Sequence, residues 1–193
     1  MQFNQYWLLI PYIILKVNHD RYTLNVEQSI FQTLCYTLTR TRIPTDFHYV
    51  ESSNGPYAKE VKDAITALSN ADLLSEHKLG GIVEIITAPS FVLPQNMFTD
   101  EEISCADNVV DLLSRIKSAA HAEIISIVLF SYDSIAQKEH PTEQQVYDHV
   151  MNWMPHWNTA KNVEVQTIIG DLSSLGWIVP RQDAGLLDDD VLY

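Results

Sequence analysis

Positive charge is scarce in this chain: 12 Lys and Arg stand against 25 Asp and Glu, a formal net charge of −13. A protein that grips duplex DNA needs cations to displace counterions from phosphates, so this balance disfavours direct nucleic-acid binding. Cysteine is nearly absent too. With only Cys35 and Cys105 in 193 residues, both on helical-looking segments, the reading is two packed thiols in a reducing compartment rather than a disulfide. Long apolar runs are missing as well: the longest, 6–17, contains Pro11 and Lys16, whereas a spanning helix needs about 20 apolar residues. That run lacks the basic start and small-residue cleavage site of a signal peptide. It reads as a buried first helix, with no membrane contact and a cytoplasmic location.

Signatures of chemistry are also lacking. There is no Gly-x-Gly-x-x-Gly, no phosphate-binding Walker loop and no Gly-x-Ser-x-Gly. None of the seven histidines falls in an HxxxH or HExxH spacing, and neither cysteine completes a zinc site. His140, His149 and His156 read as ordinary surface or capping residues. Adjacent acids such as Glu101 and Glu102 point to different sides of a helix and form no acid/base pair. No enzyme, metal or cofactor is expected. Internal repeats and low-complexity segments are absent.

What is present is a globular chain with 46% hydrophobic residues, too apolar for disorder. The most informative stretch is 48–74, HYVESSNGPYAKEVKDAITALSNADLL. Asn54-Gly55-Pro56 breaks what precedes it, and a proline at a first helical position predicts a helix opening near Tyr57. Val61, Ala64, Ile65 and Leu68 give that helix one apolar face, and Asn70 caps its end. A polar turn ending in Gly80-Gly81 and the β-branched run 82–87 follow. Helix, short connection and a strand pair hinged on glycines outline a winged helix-turn-helix with a small β-wing. Upstream, helices are expected over 5–17, broken at Asn18-His19-Asp20, and over 26–39, capped by Thr23 or Asn25, with Ile30, Leu34 and Leu38 in one stripe and Phe31 and Cys35 beside it. A short strand is expected at 47–50.

The second half is acidic. Residues 1–98 hold 7 Lys/Arg against 9 Asp/Glu, a net of −2, while 99–193 hold 5 against 16, a net of −11. Thr99-Asp100-Glu101-Glu102 is a capping box opening a helix to about 118, with Ile103, Ala106, Val110, Leu113 and Ile116 or Lys117 in period. The segment 123–136 is apolar nearly all round and reads as a second buried helix, although its composition also suits a strand. Thr142-Glu143-Gln144-Gln145 opens a helix to about 154 that bears Val146, Val150 and Trp153, and a last helix runs from 161 or 162 to 175, closed by Gly176. Residues 181–193 form an acidic tail. Of Trp153, Trp157 and Trp177, Trp157 is the aromatic expected at an interface.

These segments together resemble the C-terminal domain of the DarG antitoxin family, partner of the DarT DNA ADP-ribosyltransferase. The resemblance rests on 26–38 (VEQSIFQTLCYTL), 43–50, Gly55-Pro56-Tyr57-Ala58 with its helix, 123–133 (EIISIVLFSYD), 147–153 (YDHVMNW) and 172–178 (LSSLGWI). It departs at Asn54, where the family has an aromatic, at Asn70-Ala71-Asp72 in place of Glu-Gly-His, and at 119–122, where a Thr-Pro-Tyr-Gly turn is missing. The family's macrodomain is not in these residues, so its hydrolase activity is not carried over. What the resemblance implies is a mainly α (α+β) domain over 1–180, winged-helix-like over about 20–90 and acidic and helical over about 99–180. Its partner would be a DarT-like toxin, blocked by DNA mimicry, in an antitoxin or a phage anti-defence factor. Asp100, Glu101, Glu102, Asp107, Asp111 and Trp157 are the expected toxin-binding residues, and Gly55, Pro56 and Tyr57 the structural motif. The competing expectation is a DNA-binding transcriptional regulator, supported by Arg40, Arg42, Lys59, Lys62 and Lys78.

Overall fold

In a computed structural model that describes residues 3–19, 26–136 and 139–182, the apolar start of the chain forms a 3-10 turn, Gln5–Leu8, and then α1, Leu9–His19. The Asn4 side chain caps this entry by accepting the Tyr6 N–H. Leu9, Ile10, Ile13, Ile14 and Val17 are buried, the spacing by which a helix covers one broad face. The break expected at Asn18 comes later: Asn18 and His19 are still helical, because polar residues in a last turn cost little once Val17 is anchored. Asp20 lies outside the described residues.

α2, Gln28–Arg40, buries Ile30, Phe31, Leu34, Cys35 and Leu38 as its stripe predicts. Thr23 and Asn25 lie outside the described residues. The N-cap position is Glu27, which makes no side-chain cap bond. Pairing with a later strand holds the entry instead: the Val26 carbonyl accepts the Ile85 N–H at 2.8 Å, and Glu27 bridges Glu84.

The Gly-Pro-Tyr element departs from its expected role. Gly55–Tyr57 is a strand, β2, paired antiparallel with β1, Val50–Ser52, across a two-residue turn. Gly55 has φ 105°, which a side chain would strain. Pro56 stands opposite Glu51, one step from the Ser52–Gly55 pair that closes the turn. At that step the N–H points away from the ladder, so proline's missing donor is not needed. The helix therefore begins at Glu60, as α3, Glu60–Asn70, and the strand expected at 47–50 begins at Val50. α3 buries Val61, Ala64 and Leu68. It ends in a Schellman arrangement rather than a cap by Asn70: Asp72 takes φ 56°, and the N–H groups of Asp72 and Leu73 reach the carbonyls of Ser69 and Leu68.

β3, Leu74–Leu79, and β4, Ile82–Thr87, form the glycine-hinged hairpin; the residues read as a polar turn are its first strand. Gly80 and Gly81 at φ 56° and 96° match the type I′ turn that suits strand twist. The Thr87 hydroxyl ties β4 to α1 by donating to the Pro11 carbonyl at 2.8 Å. After irregular chain comes α4, Asp100–Ser114, with its capping box complete. α4 packs against α1 and α2 and stops at Ser114 rather than near 118. The Ser118 hydroxyl accepts the His121 N–H and starts α5, Ala119–Ile135, four residues earlier than expected. Helix, not strand, is the state of this apolar run. Cys35 is buried and Cys105 half-buried, both as free thiols, and burial pushes the Cys35 thiol well up.

The chain divides into two units, Met1–Ser126 and Ile127–Tyr193, and the division falls inside α5. In the second unit, α6, Glu143–Trp153, opens on the expected capping box and buries Val146 and Val150, and Trp153 packs at 5.4 Å from the Phe130 ring. α7, Thr159–Ser174, begins earlier than expected because the Asn158 side chain accepts the Lys161 N–H. Gly176, at φ 74°, closes it, with the Trp177 N–H on the Leu172 carbonyl. Arg181 is held by its N–H on the Pro141 carbonyl and by an ion pair with Glu139. Residues 183–193, most of the expected tail, lie outside the described residues. Among the described residues the protein is mainly helical, with seven α-helices and two small antiparallel sheets. No helix among them is long and apolar enough to cross a membrane.

Candidate functional site

At 3.6 residues per turn, positions 100, 107 and 111 fall within about 40° of one another, so Asp100, Asp107 and Asp111 line one face of α4. Ala106, Val109, Leu112 and Leu113 are buried on the opposite face. Leu112 and Val109 take core positions expected of Ile103 and Val110, which are half-buried. The helix holds no Lys or Arg of its own.

The five carboxylates differ in what they touch. Asp100 and Glu101 are exposed, and among the described residues neither takes part in an ion pair. Glu102 is half-buried and committed to the cap: its carboxylate accepts the Thr99 N–H at 2.8 Å and the Thr99 hydroxyl at 3.2 Å. The Thr99 N–H is the main reason that the Glu102 carboxyl lies below its ordinary value; burial opposes this, and the hydroxyls of Tyr6 and Thr99 reinforce it. Asp107 accepts from the Lys16 ammonium at 2.7 Å and the Tyr12 hydroxyl at 2.9 Å, both on α1. Burial pulls the Lys16 amine down, but hydrogen bonds to Asp107 and Tyr12, with the charge of Asp107, carry it above its ordinary value. Arg115 grips Asp111 through two parallel bonds of 3.1 and 3.0 Å. The uncompensated charge on this helix is therefore concentrated in its first turn.

Trp157 belongs to the second unit. It is half-buried, with the Lys161 ammonium 4.8 Å from the ring centroid and His156 edge-on at 6.4 Å. Gly55 and Pro56 are buried in the first hairpin, and Tyr57 is exposed. The cationic residues are dispersed: Arg40 ends α2, Arg42 sits in the following loop, Lys59 and Lys62 lie at the start of α3, and Lys78 is on β3. α3 also carries Glu60 and Asp63. Glu60 faces His48 at 3.5 Å, and its carboxyl is held below its ordinary value first by its own backbone N–H and then by His48, with burial opposing. No three His, Cys, Asp or Glu are grouped to hold a metal ion among the described residues.

Sequence reasoning missed two features. The partners of Asp107 come from α1, 91 and 95 residues away. A polar cleft of about 610 Å³ in the first unit gathers Gln28, Gln32, Tyr57 and Glu123, residues that follow no motif. No family model matches the chain, and no curated protein matches it.

Proposed function

We propose that this protein is a non-enzymatic inhibitor that binds a DarT-like DNA ADP-ribosyltransferase and occupies its DNA-binding groove with the acidic face of α4. The observation that carries this reading is the line of Asp100, Asp107 and Asp111 opposite the buried side of a helix that has no base of its own. At about 1.5 Å rise per residue these carboxylates are spaced about 10 and 6 Å along the axis. Those separations are roughly phosphate-like, about three and two steps of the 3.4 Å that each phosphate of a B-form strand advances along the helix axis. A groove built for phosphates presents Lys and Arg, so carboxylates at this spacing speed encounter and make binding salt-dependent. Asp100 and Glu101 supply the first attraction. Asp107 and Asp111 exchange Lys16 and Arg115 for cations of the toxin. Trp157 supplies apolar contact in the second unit.

The scaffold of this surface is winged-helix-like in our reading, with α3 after α2 and the β3–β4 hairpin as the wing. The sequence resemblance to the DarG C-terminal domain supports the same function. The test mixes the protein with a DarT-like toxin, its DNA substrate and NAD at low and high salt. Modification should cease at near stoichiometric inhibitor, return as salt rises, and show no release of ADP-ribose from DNA already modified. Full modification in the presence of excess protein overturns the proposal.

A further inference from the structure

The inhibitor reading leaves the outer edge of the β3–β4 hairpin unused. With Gly80-Gly81 as a two-residue turn, Leu79 and Ile82 exchange both backbone bonds, and exchanging pairs alternate with open ones down the ladder. His77 and Ser75 therefore bond to Glu84 and Ile86. Two neighbours confirm this phase: the Ala88 N–H meets the Leu73 carbonyl, and the Ile85 N–H turns away to the Val26 carbonyl. Glu76 and Lys78 thus point their N–H and C=O groups off the edge of the sheet. Among the described residues β3 has no strand beside it but β4, and the chain entering α2 at Val26 and Glu27 takes the opposite edge, that of β4. Glu76, His77 and Lys78 are exposed, and among the described residues none of the three takes part in an ion pair. Charge on an edge strand ordinarily deters a further strand. Here the order acid, His, base becomes its own complement when the strand is reversed.

We infer that β3 is a self-docking edge: it pairs antiparallel with β3 of a second copy of this chain, about a two-fold axis at His77. In that register Glu76 lies opposite Lys78 of the second copy and Lys78 opposite its Glu76, and both pairs exchange backbone bonds through the groups that point off the edge. Residues two apart share a face, so the carboxylate and ammonium of each pair meet side by side, with Cβ atoms about 5 Å apart. The neighbouring registers that keep these backbone groups facing set Glu76 against Glu76 or Lys78 against Lys78, and like charges directly opposite are destabilising. One register alone therefore satisfies backbone and side chains together. A two-fold contact uses the same patch on both copies, as this edge does. A single short edge is small beside standard interfaces of at least about 1,200 Å², so the dimer is a weak, concentration-dependent one. The net charge of −13 on each copy opposes it at low salt. At about 0.15 M the Debye length of about 8 Å screens distant charges and leaves the opposed pairs. The edge belongs to the hairpin and not to α4, so it does not need the inhibitor reading.

The experiment is sedimentation equilibrium of the full chain, without toxin, from about 10 μM to about 1 mM at about 0.15 M salt. The unmodified protein should pass from monomer towards dimer across this range. Glu76→Lys and Lys78→Glu each set like charges opposite one another and should weaken association at least about tenfold. They move the net charge of −13 in opposite directions, so a general charge effect would weaken one and strengthen the other. The double variant, Glu76→Lys with Lys78→Glu, keeps the self-complementary order and should dimerise as the unmodified protein does. An equimolar mixture of the two single variants should also dimerise, since each supplies the charges that the other lacks. The pairing is overturned by a chain that stays monomeric to about 1 mM, by single variants that associate as tightly as the unmodified protein, or by a double variant or mixture that stays monomeric.

Discussion

Helices α3 and α4 bury similar stripes and turn different faces outward. α3 sinks Val61, Ala64 and Leu68, and α4 sinks Ala106, Val109, Leu112 and Leu113. Outward, α3 mixes Lys62 with Glu60 and Asp63, whereas α4 bears five acids and no base. Each also carries in its first turn a glutamate whose carboxyl folding holds below its ordinary value: Glu60 by its own helix N–H and His48, Glu102 by the Thr99 N–H. Packing is thus alike in the two helices; what separates them is the N-cap, a complete box in α4 and no side-chain bond in α3, and the charge of the outer surface. Of the α4 acids, Asp100 and Glu101 take no part in cap or packing and are open to selection for a partner.

The sharpest way to probe the likeness is to cut both stripes. Leu68→Ala and Leu112→Ala remove fully buried side chains, 0% and 1% exposed, and each should destabilise by about 2–5 kcal/mol in urea unfolding. A cost in only one helix would show that the two are not equivalent supports. The difference is probed next. Asp100→Asn with Glu101→Gln should weaken inhibition of a DarT-like toxin about tenfold and flatten its salt dependence, while Lys59→Ala with Lys62→Ala should leave it unchanged. The reverse pattern would transfer the functional surface to α3.

Smaller effects come from the caps. Thr99→Ala and Thr142→Ala should each cost about 1 kcal/mol at neutral pH. In acid they diverge. A carboxyl lowered by folding adds stability that is present above its unfolded value and lost as pH falls through the folded one. Glu102 should therefore make the α4 box weaken on acidification, whereas Gln145, neutral at every pH, leaves the α6 box unaffected. Glu102→Gln should remove this part of the acid-limb slope, and urea midpoints from pH 7 to pH 3 measure it. Smallest of all, Arg115→Ala should leave the unfolding midpoint unchanged, since the pair with Asp111 is exposed on both sides, 53% and 59%.

The legible parts of this molecule are those in which neighbours in sequence satisfy one another. Both capping boxes, the α2 stripe, the Gly80-Gly81 hinge and the Gly176 stop need partners within a few residues, and each is formed as expected. Asn54-Gly55-Pro56 misled because two local rules compete there. Pro56 suits the first turn of a helix, but Asn54 and the positive-φ Gly55 also suit a tight hairpin whose turn is Ser53-Asn54, and pairing with Val50–Ser52 decides for the strand. The end of α4 was misplaced for a similar reason: apolar period continues to Ile116, which is buried after the helix has ended. Of the candidate surface, the acids and their shared face were readable from spacing. That Glu102 is occupied by its cap was readable too, from the Thr99-x-x-Glu102 pattern.

By itself the sequence determined the helical character of this protein, most of its caps and turns, and the excess of acid in its second half, because those follow from contacts at short separation and from counting charges. Tertiary structure alone decided that Asp107 is matched, since Lys16 and Tyr12 reach it only once α1 lies against α4. It also decided that Gln28, Tyr57 and Glu123 border one cleft. No periodicity relates residues on a helix, a hairpin and a second helix until the chain has folded to bring them together.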